Sequence, residues 1–154
     1  MTQQDKEAYV LRVSSASPVQ LVVICYELAI AALDEALSAY GGRGFAQSLD
    51  KARNCLAELR GTLRVTNSIA KDLFILYNYM ERILIAAQYS NDTAPVIEAR
   101  GLLRKLLEAW NAVSAQNGDP AAMDGSQVVY AGLTYSNGKL DEYVVDKRQK
   151  SYEA

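Results

Sequence analysis

Any chemistry in this chain must come from carboxylates, thiols and phenols, because its 154 residues include no histidine. That absence removes the commonest general base and the commonest metal ligand. It excludes a Ser-His-Asp triad and the Glu-x-x-His pattern by which ferritin-like bundles hold two irons. Gly41-Gly42-Arg43-Gly44 is glycine-rich, yet it lacks the Lys-Ser/Thr of a phosphate-binding loop and does not follow a strand. The carboxylates stand beside basic residues, as Asp50 near Arg53, Glu81 beside Arg82 and Glu98 near Arg104, the pattern of solvated surface pairs. Cys25 and Cys55 fall on apolar faces and read as small buried hydrophobes, with no structural disulfide expected. The chain therefore reads as a non-enzyme with no metal and no cofactor.

The ten tyrosines are less ordinary. Tyr77 and Tyr79 lie roughly 200° apart around one helix, so they cannot share a core. One packs inward, and the other is either a surface ring or part of a partner groove, a role tyrosine suits. The formal net charge of -2 offers no basis for nucleic acid or an anionic membrane as partner.

These residues sit on elements that the periodicity makes legible. Ser17-Pro18-Val19-Gln20 is a capping box with proline at the first helical position, and the helix it opens is almost wholly apolar to Leu37. Its polar residues fill an arc of only about 100°, so it must be covered on more than one side. Glu27, Asp34 and Glu35 argue against membrane insertion. A second helix runs from about Phe45 to Val65 along Phe45, Leu49, Ala52, Leu56, Leu59 and Leu63, and Gly61 within it reads equally as room for a close backbone approach or as simple drift. A third begins at Asn67 or Ser68 and follows Ile69, Leu73, Leu76, Met80, Ile83 and Ala87. A fourth has Pro95 in its first turn and follows Ala99, Leu103, Leu106, Trp110 and Val113. The expected fold is all-α: an antiparallel four-helix bundle over 17–116, an N-terminal arm over 1–16, and a tail over 117–154. In that tail, strand-like residues around Val128, Tyr130 and Tyr135, the turn Asn137-Gly138 and the run Leu140 to Val145 predict a β-hairpin extension.

Four segments, in order, carry a resemblance. Ala16-Ser17-Pro18 with Leu21 and Tyr26-Glu27-Leu28-Ala29-Ile30, then Lys51-Ala52-Arg53-Asn54 with Glu58-Leu59, then Leu76-Tyr77-Asn78-Tyr79-Met80-Glu81-Arg82-Ile83-Leu84, and finally Leu106 through Trp110, resemble the flagellin export chaperones, the FliS family. The resemblance covers about Tyr9 to Val113. It implies a cytoplasmic helical bundle that binds the disordered C-terminal segment of flagellin in apolar grooves. Binding would block premature polymerisation and present flagellin to the type III export gate. On that reading Tyr9 and Val13 belong to an arm over the groove. Leu21, Leu28, Leu56, Leu59, Leu63, Leu76, Tyr77, Met80 and Leu84 are the candidate groove walls. The protein would be a monomer or weak homodimer. The competing reading is a structural bundle that homodimerises through the same apolar surface.

Overall fold

The structure is a computed structural model and describes residues 1–64 and 67–117. It contains five helices: α1 (Gln3–Ser15), α2 (Pro18–Ser38), α3 (Arg43–Gly61), α4 (Ser68–Ser90) and α5 (Ala94–Asn117). The expected four-helix bundle is thereby corrected to an all-α, five-helix architecture among the described residues. The segment read as an arm is itself helical, and no strand occurs among the described residues. The hairpin expected in the tail lies outside the described residues.

The fifth helix has a local cause. Thr2 accepts a hydrogen bond from the Asp5 amide at 3.1 Å, and the Thr2 amide donates to the Asp5 carboxylate at 2.9 Å. This is a capping box with aspartate in the third helical position. The same bonds hold the Asp5 carboxyl below the usual carboxylate range, with the Thr2 amide as the larger cause. Arg12 in the last turn complements the C-terminal end of the helix dipole. No residue of α1 is buried, and Val10, Leu11 and Val13 are exposed.

The other helix starts are capped as their sequences suggest. Ser17 and Gln20 exchange side-chain-to-amide bonds of 3.3 and 2.9 Å at the head of α2. Asn67, rather than Ser68, caps α4 through a 2.8 Å bond from the Ala70 amide. Asn91 ends α4 in the left-handed conformation, with φ 54°. The turn into α3 needs its glycines for two separate reasons. Gly41 has φ +93°, and a Cβ on Gly44 would lie 2.9 Å from the Ala39 Cβ. Gly61 plays no such part, since a Cβ there would meet nothing within 4 Å.

Cys25–Ala112 form one compact unit, and Met1–Ile24 belong to another. Within the first, α3 packs against α4. Helix directions follow from the polar ties. Asp34 of α2 meets Arg100 of α5 at 2.9 Å, whereas Tyr26, eight positions earlier, meets Trp110. Those helices therefore run antiparallel. Lys51 of α3 reaches Glu35 of α2 at 3.1 Å, and Arg60 of α3 binds Asn78 and Glu81 of α4. Such half-exposed ion pairs each contribute little. The core holds the unit together: Leu33, Leu49, Leu56, Leu59, Leu84, Val96 and Leu103 are fully buried beside a run of buried alanines. In Met1–Ile24, Val19 and Ile24 are both buried although they lie about 140° apart around α2. No helix among the described residues is long and apolar enough to cross a membrane.

The glycines give a paired test. Gly44→Ala should lower unfolding free energy by about 1 kcal/mol through overpacking against Ala39. Gly101→Ala, inside α5 with open space around it, should raise it by about 1 kcal/mol through helix propensity. Urea denaturation of the two variants checks the opposite signs.

Candidate functional site

The rotation of α4 decides which side chains can meet a partner. Its sequence carries two interleaved apolar series. Both share Leu73, Met80 and Ala87, and they differ in whether Ile69, Leu76 and Ile83 or Ala70, Tyr77 and Leu84 complete the seam. The sequence puts the seam on the first series, widened by Phe74, Tyr77 and Leu84, whereas the structure centres it on the second: Ala70, Leu73, Tyr77, Met80, Leu84 and Ala87 are buried. Tyr77 accounts for the choice. Its hydroxyl shares a short hydrogen bond with that of Tyr26 on α2, and the Trp110 indole N–H on α5 donates to the Tyr26 oxygen at 3.1 Å. The rings of Tyr26 and Tyr77 are tilted with centroids 6.3 Å apart, and those of Tyr26 and Trp110 lie 6.5 Å apart. Burial pushes the Tyr26 phenol well above its ordinary range, against the opposing pull of the hydrogen bonds with Tyr77 and Trp110.

Turning Tyr77 inward leaves the alternative series on the flank. Ile69 is exposed, and Leu76 and Ile83 are half-buried. Ile75, at 65% exposure, and half-buried Tyr79 lie on the same side of the helix. The Tyr79 hydroxyl donates to Glu98 of α5, and the Arg82 guanidinium lies 5.6 Å from the Tyr79 ring centroid. The carboxylate accepting that bond raises the Tyr79 phenol above its ordinary range. On α5, Leu102 and Leu106 are half-buried on the side that carries Glu98. The result is an apolar ridge along α4 with a charged rim. An amphipathic helix presenting anchors three and four residues apart fits such a surface.

The candidate residues divide by burial. Leu56, Leu59, Tyr77, Met80 and Leu84 are core, with at most 1% of their surface exposed. They belong to the closed interior and present no surface to a partner. Leu28, Leu63 and Leu76 are half-buried, and Leu21 is exposed. Tyr9 is half-buried and Val13 exposed on α1, where the Arg12 guanidinium stands 5.3 Å from the Tyr9 ring centroid. Ile69, Phe74, Ile75 and Ile97 are exposed apolar residues that were not among the candidates. Ile69 was assigned to the core seam instead. The signal that could have found this flank was the duplicated series on α4, with a tyrosine needing a polar partner on only one of its two faces.

Comparison with known proteins bears on the whole described region. The family model described as Flagellar protein FliS matches residues 1–117. The Flagellar secretion chaperone FliS of Escherichia coli (strain K12) is 34% identical over 104 residues, 64% of this chain and 76% of that protein. Its counterpart in Salmonella typhimurium is 37% identical over 108 residues, 66% of this chain and 80% of that protein. The one from Bacillus subtilis (strain 168) is 33% identical over 64 residues, 42% of this chain and 48% of that protein.

The buried phenol pair makes two measurable predictions. Tyr77→Phe should cost about 1–3 kcal/mol in urea denaturation, because the Tyr26 hydroxyl loses one of its two partners inside the core. Tyr79→Phe, on the surface, should leave the melting temperature unchanged. The folded chain holds the Tyr26 proton at pH values where the unfolded chain gives its phenols up, above about 10. Stability should therefore fall as pH rises past about 10. Phenolate absorbance should show Tyr26 silent until the protein unfolds.

Proposed function

This chain belongs to the FliS family of flagellar secretion chaperones, and from that premise we propose that it binds the C-terminal segment of flagellin, keeps it from polymerising early and delivers it to the type III export gate. As a chaperone it acts by binding and not as an enzyme. The proposal puts it in the cytoplasm, where its client is made.

The observation that carries the reading is the flank of α4. Ile69, Ile75, Leu76 and Ile83 remain wholly or partly open to solvent although the core beneath them is already complete. A monomer gains nothing from leaving that area wet, since each Å² of apolar surface removed from water is worth about 25 cal/mol. A disordered client must spend several kcal/mol on folding when it binds, so a surface with a deep apolar reserve is what the task requires. The rim of Arg82, Tyr79 and Glu98 supplies polar contacts that set register without burying unpaired charge. Half-buried Leu28 and Leu63 are further candidate contacts on α2 and just beyond α3. Val10, Leu11 and Val13 offer an unburied apolar segment on α1.

The C-terminal segment of the host flagellin, mixed with the protein, should give a complex on size exclusion and new helical circular dichroism. Ile75→Asp should weaken that complex at least tenfold, about 1.4 kcal/mol, with no change in melting temperature because the side chain is already exposed. Absence of a complex at tens of micromolar would sink the proposal. So would a self-dimer that persists unchanged when the segment is added.

A further inference from the structure

The two cysteines are separated by 30 positions in sequence and brought together by the fold. Cys25 lies on α2 and Cys55 on α3, within the unit Cys25–Ala112. The Cys25 thiol donates to the Cys55 carbonyl oxygen at 3.7 Å, so one sulfur already rests against the main chain of the other cysteine. The two thiols also lie within hydrogen-bonding reach of each other, so the fold sets both sulfurs side by side across α2 and α3. Both residues are half-buried and both are free thiols. A small solute can reach them, whereas another protein's thiol meets them less easily.

The two sulfurs are also unlike each other. The Cys25 S–H, directed toward Cys55, holds the Cys55 thiol below its ordinary range, and burial works in the opposite direction. The same hydrogen bond, with burial second, pushes Cys25 up, and the Glu58 carboxylate adds to that. Adjacency of the two thiols, more than the balance between them, is what a disulfide-forming pair needs.

We propose that Cys25 and Cys55 form a dithiol modification site, oxidised by hydrogen peroxide or a small organic hydroperoxide to an intramolecular disulfide that staples α2 to α3. The Cys55 thiolate sulfur attacks a peroxide oxygen. The O–O bond breaks, Cys55 becomes a sulfenic acid, and the departing oxygen takes the proton that Cys55 gave up, leaving as water from hydrogen peroxide or as an alcohol from an organic hydroperoxide. The Cys25 sulfur then attacks the Cys55 sulfur. The S–S bond forms, the S–O bond breaks, and the leaving hydroxide takes the Cys25 proton as water. Two thiols and one hydrogen peroxide give one disulfide and two waters, and an organic hydroperoxide gives one water and one alcohol, so the peroxide supplies the whole two-electron oxidation. A thiol such as glutathione reverses the step by exchange. The staple closes the chain between α2 and α3 and fixes their relative register. The site requires no client and stands independently of the proposed binding of flagellin.

The test uses the intact, folded chain. Treatment with a slight excess of hydrogen peroxide, followed by iodoacetamide under denaturing conditions and intact mass measurement, should give a monomer lighter by two hydrogens and carrying no alkyl group. Dithiothreitol should restore two alkylatable thiols, and the oxidised form should melt at a higher temperature than the reduced form. Cys25→Ser should leave Cys55 trapped as a sulfenic acid by dimedone, with no intramolecular bridge. If both cysteines of the wild-type chain stay fully alkylatable after peroxide, the proposal fails. It fails equally if oxidation yields only disulfide-linked dimers. The wild-type measurement decides the matter even if the serine variant does not fold.

Discussion

A phenol cannot be buried without a hydrogen-bond partner, and in this bundle that requirement fixes the placement of three helices at once. Leaving such a group unsatisfied costs on the order of 1–3 kcal/mol, a large part of the few kcal/mol by which domains are stable. Tyr26, Tyr77 and Trp110 bring α2, α4 and α5 to one point and satisfy one another there. Apolar packing alone would hold α4 almost as well in a neighbouring rotation, because Ile69, Leu76 and Ile83 are as good a seam as Ala70, Tyr77 and Leu84. Polar satisfaction breaks the tie. The apolar surface left open on α4 is what remains after the tie is broken.

Away from that point the interior is built from small side chains. Ala29, Ala32 and Ala36 on α2, Ala52 on α3, Ala70 and Ala87 on α4, and Ala99 on α5 are all buried. Alanine brings helix axes toward the close end of their usual 8–10 Å separation. It also carries high helix propensity at no side-chain entropy. The aromatic cluster supplies bulk, and the alanines supply proximity. That proximity is also what lets the sulfur of one cysteine reach the main chain of the other across α2 and α3. The charged ties around the outside, such as Asp34 with Arg100 and Arg60 with Glu81, add direction more than energy.

Much of this was legible in the sequence, and the failures have physical causes. The caps at Ser17 and Asn67 were readable because they are local, with donor and acceptor three residues apart. The α3 seam from Phe45 to Leu59 was readable because only one series of apolar residues runs through it. The α4 seam was ambiguous because hydrophobic periodicity treats tyrosine as one more apolar residue. Its choice of face depended on Tyr26, 51 positions away. The same ambiguity mixed the core residues Met80 and Leu84 with half-buried Leu76 among the candidate contacts. Helix α1 was missed because its apolar run, Tyr9 to Val13, joins no core, and its cap uses Asp5 where glutamate or glutamine is the commoner signal.

That capped helix differs in kind from the others. It spans 13 residues and buries none of them, and an isolated helix of this length is marginal in water. Its order rests on the exchange between Thr2 and Asp5 and on its own backbone bonds, not on a core. Its amides can therefore open to solvent with little free-energy cost while those of α3 or α4 open only when the core is disrupted. The first helix is a conformational reserve. A partner that binds it as a helix draws on order already present, and one that takes it extended forfeits only a few local bonds. Either way the rest of the molecule is spared the cost of adapting.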